Sequence, residues 1–241
     1  MKIAVAEKVF LAKSPAEKNA LDKNPGEKFN VAWFKLAEFV GRKEKERALG
    51  VYRLLSHSLP DDAFAAQIEG DLLMAFGDEK AVDAYQKAAW LYEKSNQFDH
   101  AALLYEQMLM LKPENRDFLV QALKLYQLVK NDVKIVRCAS QLARLLIKHG
   151  AVDELNDLMA ACAYQLDYQL YIQESIILAL LEFQPAQEQS IQDYLTYVVS
   201  ALERPEYKNR LTLFFAKLSA LSPLWYDRAC ALLRQDKQIT A

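Results

Sequence analysis

The sequence predicts an all-helical chain, and three observations predict it. Ala, Leu, Lys, Glu and Gln dominate the composition, and these residues lose little on entering a helix. Apolar residues recur at three- and four-residue intervals along nearly the whole chain, with no strand-like alternation of Val, Ile and Thr. All seven prolines fall at helix starts or between helices.

The start and stop signals then place each element. Ser14-Pro15-Ala16-Glu17 and Asn24-Pro25-Gly26-Glu27 each combine a capping residue, a proline in the first turn and a glutamate that reaches back to a free N–H. Ser222-Pro223 opens a helix in the same way. Gly41, Gly77 and Gly150 each follow an apolar-periodic segment, where a left-handed residue ends a helix. These signals give helices near 3–12, 15–22, 27–41, 43–57, 62–76, 79–94, 98–111, 115–130, 132–148, 152–165, 167–182, 187–202, 206–220 and 223–235. The short connections suit stacked antiparallel hairpins in one continuous array.

The stretch 77–113 is the most specific. Ala88, Ala89, Ala101 and Ala102 sit where two helices must come close, and Tyr85, Trp90, Tyr92, Phe98 and Tyr105 lie one or two turns away. With Tyr85, Ala88, Ala89, Tyr92, Ala101, Tyr105, Met108 and Pro113 at the signature places, it closely resembles a tetratricopeptide repeat, a 34-residue helix–turn–helix unit. Looser versions fall at 30–60, 63–88, 139–162 and 195–223. The resemblance implies a right-handed α–α superhelix: an N-terminal helical segment at 1–26, repeats over 27–165, and degenerate repeats with a cap over 166–241. It also contains a conflict of phase. The helix near 79–94 closes one unit and opens the next, and the phase decides which helices line the concave face. The units at 30–60, 63–88 and 139–162 favour the phase that puts the helices near 27–41, 62–76, 98–111 and 132–148 on it.

Charge and cysteine usage narrow the function classes. The net charge of −2 argues against a general nucleic-acid binder. Residues 1–60 carry 12 Lys and Arg against 7 Asp and Glu, and residues 61–241 carry 18 against 25. No Lys or Arg lies between Lys148 and Arg204, where nine carboxylates stand. That stretch is either a solvated acidic face or a negative patch that steers a basic partner. Cys138, Cys162 and Cys230 are far apart in apolar helical contexts and read as free thiols of a reducing, cytoplasmic compartment. Glu7 and Lys8 interrupt the apolar run of the N-terminus, so it does not read as a signal peptide, and no segment has the length of a membrane span.

Chemistry-bearing motifs are absent. There is no glycine-rich phosphate loop and no metal-ligand spacing, and His57, His100 and His149 fall near helix ends without a local partner. The expectation is therefore a non-enzymatic protein without a cofactor. Lys134, Arg137, Gln141, Arg144 and Lys148 follow a 3-4-3-4 rhythm and share one helix face. Arg137, Gln141, Arg144 and Lys148, with Trp90, are the candidate groove residues. They would hold a peptide or helix of another protein, with acidic character if the arginines fork onto carboxylates. The unit at 30–60 carries Phe34 and Glu38 where repeats that clamp acidic chaperone tails carry Lys and Asn, which argues against that use. The other reading is an assembly subunit that self-associates through its last helices, with Phe214, Phe215, Trp225 and Tyr226 on the outside.

Overall fold

The computed structural model describes residues 26–162 and 166–239. The helices expected near 3–12 and 15–22 lie outside the described residues. Within them the chain forms twelve α-helices and no strand. In order they are α1 Gly26–Gly41, α2 Lys45–Ser56, α3 Asp62–Ala75, α4 Ala81–Lys94, α5 Phe98–Leu111, α6 Arg116–Leu128, α7 Asp132–Lys148, α8 Val152–Ala161, α9 Leu166–Phe183, α10 Glu188–Leu202, α11 Lys208–Leu221 and α12 Pro223–Ile239. A 3₁₀ turn at Pro205–Tyr207 precedes α11, where the sequence places the start of the helix itself. Two compact units result, divided between Phe118 and Leu119 within α6.

One turn chemistry ends five of the helices. Lys43, Gly77, Asn96, Lys130 and Gly150 take left-handed φ values of 59°, 69°, 58°, 55° and 70°. At each, this residue and the next donate their N–H groups back to the last turn, as Gly77 does to Met74 O at 3.0 Å and Asp78 to Leu73 O at 3.0 Å. This satisfies carbonyls that a helix end leaves unpaired. Gly77 and Gly150 stop helices as expected. Gly41 does not, because α1 runs through it and Lys43 makes the left-handed step. At the other ends, Asp61, Asn115 and Asn131 accept the N–H of Phe64, Phe118 and Lys134.

In the first unit α1 packs on α2, α3 on α4 and α4 on α5, while α2 meets α3 more sparsely. The α3–α4 contact is the tightest. Gly70 lies under the Tyr85 ring, and a Cβ there would stand 2.5 Å from Tyr85 Cδ1. Tyrosine hydroxyls tie the layers together. Tyr52 donates to Ala65 O at 2.8 Å, Tyr85 to Asp71 Oδ1 at 2.7 Å, Tyr92 to Gln67 Oε1 at 2.8 Å and Tyr105 to Glu93 Oε1 at 3.4 Å. Seven of the eight signature places are filled as close packing requires: Tyr85, Ala88, Ala89, Ala101 and Met108 are inaccessible, Tyr92 is buried and Tyr105 half-buried. The looser unit at 30–60 fits less well, since Leu36 and Ala48 are buried but Ala37 is exposed.

In the second unit α7 packs on α8 and broadly on α9, α9 on α10, and α12 on both α10 and α11. Gln184 Nε2 donates to Ile147 O at 2.6 Å, supplying a partner at the end of α7 from the residue after α9. Arg210 is held by Glu174 at 2.6 Å and lies over the Tyr171 ring at 3.4 Å. Burial pushes the Glu174 carboxyl above its usual range, opposed by the Arg210 charge and hydrogen bond and by Lys217.

The phase conflict has a structural origin. Tight turns join α3 to α4 and α4 to α5, and again α6 to α7 and α7 to α8, whereas Pro113 lies in the link between the runs. The buried positions follow the same period. Ala81, Ala84, Tyr85, Ala88, Ala89 and Tyr92 of α4 have buried counterparts 54 residues on, at Ile135, Cys138, Ala139, Leu142, Ala143 and Leu146 of α7. Ala101, Leu104 and Met108 of α5 are matched by Leu155, Leu158 and Cys162. Val82 and Ala102 break the pattern, matched by half-buried Val136 and exposed Asn156, and α3 does not carry it onto α6, since buried Ala63 and Gly70 fall on exposed Asp117 and Lys124. Phe118, Ala122, Leu123, Leu125 and Tyr126 of α6 likewise match Ile172, Ile176, Ile177, Ala179 and Leu180 of α9. Left-handed turns stand 34 residues apart twice, Lys43 to Gly77 and Asn96 to Lys130, but in opposite phases. A two-helix spacing thus exists locally, while burial recurs over three helices from α4 onward, and the tight turns at Gly77 and Asn96 make α4 the middle of a run.

Gly70→Ala is expected to cost about 1–3 kcal/mol, because the fully buried Tyr85 ring must move. Gly50→Ala, with nothing within 4 Å of a new Cβ, should be neutral or stabilising by up to about 1 kcal/mol. Ala88→Leu and Ala101→Leu should resemble Gly70→Ala. Denaturation midpoints check the set, and equal midpoints for all four variants would contradict the packing.

Candidate protein-binding faces

The middle helix of each three-helix run has one buried face and one open face. On α7 the buried face includes Ile135, Cys138, Ala139, Leu142, Ala143 and Leu146. The opposite face carries Arg137, Gln141 and Lys148 exposed and Arg144 half-exposed, in the expected rhythm. Arg144 is not idle: its Nη2 reaches Glu182 Oε2 at 2.7 Å and its guanidinium lies 5.8 Å from the Phe183 ring centre. Lys134, the first member of the stripe, lies over the Tyr126 ring at 5.8 Å.

Trp90 stands on α4 in the other unit. It is 54% exposed, with Lys94 Nζ 3.6 Å from its ring centre. It shares its face with Lys80, Asp83, Lys87 and Lys94, all exposed. These five positions are the 54-residue counterparts of Lys134, Arg137, Gln141, Arg144 and Lys148. The sequence reading singled out Trp90 alone and missed its neighbours. The signal was present, because 80, 83, 87, 90 and 94 keep the same 3-4-3-4 rhythm.

The α4 face also forms one wall of a cleft of about 510 Å³, with α2 as the other wall and α3 behind. Lys45 on α2 pairs with Asp78 in the turn before α4. The Lys45 hydrogen bond, followed by the Lys80 N–H bond, holds the Asp78 carboxyl below its usual range.

The Lys- and Arg-free stretch is partly neutralised by the chain itself. Glu174 takes Arg210, Glu182 takes Arg144, Glu188 takes Arg228 at 3.5 Å, and Asp167 accepts the Tyr207 hydroxyl. Three of these are ion pairs to arginines outside the stretch, which leaves less of a negative patch than the sequence suggests. The helix over 166–183 also differs from a simple amphipathic one. Ile172, Ile176 and Ala179 are buried, and Gln173 is half-buried with its Oε1 fully covered.

His149 Nδ1 lies 2.8 Å from Leu145 O and His100 stacks on Tyr92, both at helix ends. Cys138 and Cys162 are buried and Cys230 half-buried, all as thiols. Among the described residues no His, Cys, Asp and Glu side chains gather as a metal site would require, and no helix is long and apolar enough to cross a membrane. No protein-family model matches the chain, and no curated protein matches it.

The buried tyrosines give the first unit an alkaline limit. Burial first, and nearby carboxylates second, push Tyr52, Tyr92 and Tyr105 up to about 12, and Tyr85 well above the usual range. Unfolded phenols ionise near 10. The unfolded chain therefore loses protons first, and this stabilisation is complete below about pH 10 and lost as pH rises towards 12. Urea midpoints should hold up to about pH 10 and then fall, with tyrosinate absorbance from these residues appearing only on unfolding. All twelve tyrosines titrating near 10 with the fold intact would contradict the burial.

Removing the Arg210 partner is a second stability test. Arg210→Ala leaves Glu174 buried without its hydrogen-bonded ion-pair partner and should cost about 3–5 kcal/mol. Arg144→Ala, on an exposed pair, should cost no more than about 1 kcal/mol. Calorimetric melting of the two variants side by side makes the comparison.

Proposed function

We propose that the chain is a non-enzymatic binding protein, a tetratricopeptide-like repeat wound as a right-handed superhelix, that holds a peptide or helix of a partner protein. The observation that carries this reading is the recurrence of open faces on the middle helices. Largely basic, solvent-facing stripes stand at equivalent positions of α4 and α7, with Trp90 of α4 where α7 carries Arg144. Repeat arrays bind through surfaces to which successive repeats contribute. In this reading Arg137, Gln141, Arg144, Lys148 and Trp90 contact the partner. The arginines supply forked bonds to carboxylates and Trp90 a flat apolar platform. Three free thiols fit a reducing, cytoplasmic setting.

Capture from a lysate of the source cells, read by mass spectrometry, tests this. One specific partner should be retained, and its affinity should fall about tenfold on replacing Arg137 and Arg144 by Ala, with a shallower salt dependence and an unchanged melting temperature. A partner bound equally by wild type, this variant and Trp90→Ala would refute the assigned faces.

A second reading, an assembly subunit, is favoured by one feature. A groove of about 410 Å³ between α11 and α12 is lined by Leu211, Phe215, Tyr226 and Leu233. Leu213, Leu221 and Leu224 are exposed on the same two helices. Of the four aromatics expected on the outside, Phe214 and Trp225 are buried, and Phe215 and Tyr226 meet edge to face at 5.8 Å. A concentration-independent oligomer in light scattering would support this reading, and a monomer would support the first.

A further inference from the structure

We propose that the cleft between α2 and α4 binds an extended polypeptide segment carrying one acidic and one basic side chain about three residues apart. This rests on the binding-protein reading and assigns the α4 half of it a ligand chemistry. The cleft has a direction. Tyr85 reaches Asp71 and Tyr92 reaches Gln67, so α4 runs antiparallel to α3. Tyr52 reaches Ala65, so α2 does too, and α2 and α4 ascend together. The Lys45–Asp78 pair ties their starts and closes that end without net charge.

Above that pair, Glu46 and Asp83 lie in the first turns of the two walls, and Lys80 lines the same end. Further along, Arg53 and Lys87 face the cleft against the single carboxylate of Glu69 on α3, near Tyr52, and the α4 face continues to Trp90 and Lys94. Among the described residues the side chains of Glu46, Asp83, Arg53 and Lys87 have no ion-pair or hydrogen-bond partner. Opposite charges thus line one cleft without meeting across it, and Leu49 and Leu73 make an apolar strip between them. Glu46 to Arg53 is seven helical residues, roughly 10 Å of rise, and Asp83 to Lys87 is four, roughly 6 Å. An extended chain covers these distances in about two to three residues. A guest carboxylate fits at Arg53 and Lys87, and a guest ammonium or guanidinium at Glu46 and Asp83. A volume of about 510 Å³ suits a few residues of such a chain.

Fluorescence anisotropy on three labelled, end-blocked dodecapeptides of Ser, Gly and Leu tests this. One carries a Glu and a Lys three residues apart, one carries Glu at both places and one carries Lys at both. The mixed peptide should bind at least about tenfold more tightly than either other. Arg53→Ser with Lys87→Ser should abolish its advantage over the Lys peptide. Glu46→Gln with Asp83→Asn should abolish its advantage over the Glu peptide. All four side chains are exposed or lie on an open wall, so wild-type melting temperatures are expected, and the peptide series on unsubstituted protein decides the question independently. Equal affinities for the three peptides, or no binding up to millimolar concentration, would overturn the assignment. A mixed peptide that ignores both cleft variants but is lost on replacing Arg137 and Arg144 would also overturn it, while leaving the general reading in place.

Discussion

The close approach of α3 to α4, with Gly70 under the ring of Tyr85, is the constraint on which the first unit depends. A ring that is wholly inaccessible needs a neighbour without a side chain, and its hydroxyl then needs an acceptor within reach. Asp71, the next residue, supplies one. With α4 pinned in this way, Ala88 and Ala89 meet neighbouring helices on its inner side and Tyr92 reaches Gln67. Lys87, Trp90 and Lys94 are then left on the outer side. The open face is a consequence of the packing and is as fixed as the packing is.

The second unit meets the same geometric need with different residues. Ala139 stands where Tyr85 does in the 54-residue register, so no hydroxyl bridge forms there. Apolar residues such as Ile135, Leu142 and Leu146 fill the contact instead, and Gln184 from the end of α9 supplies the polar tie at the end of α7. The acidic stretch is stitched down by Arg144, Arg210 and Arg228. One of these, Arg144, sits on the proposed binding face, so an acidic guest there has to compete with Glu182. Exposed pairs of this kind contribute about 1 kcal/mol or less, which makes the exchange a cheap one.

The helices were legible because the signals that set them are local. Gly77 and Gly150 turn, Ser222-Pro223 opens the last helix, and the apolar rhythm runs between such signals. Two stops were hidden. Lys43 and Lys130 adopt a left-handed conformation that the sequence gives no reason to expect of lysine, and Gly41, the better candidate, is passed over. The α7 stripe and Trp90 were legible from rhythm and residue type. Their equivalence was not, because the repeat that the chain resembles has a 34-residue period and the match lies at 54. The α2–α4 cleft was invisible for a different reason. Arg53 and Lys87 are 34 residues apart in sequence, and only the antiparallel layering through α3 puts them on facing walls.

Hydroxyl-radical footprinting of the intact chain, read residue by residue by mass spectrometry, tests most directly the claim that α4 and α7 carry matched buried and open faces. Trp90 should be oxidised rapidly. Tyr85, Tyr92 and Met108 should be protected in the folded protein, as should Cys138 and Cys162, the counterparts of Ala84 and Met108 one period on. Protection should be lost only in denaturant. A protected Trp90, or oxidation of Tyr85, Met108 and Cys162 in the native protein at a rate like that of Trp90, would contradict the account.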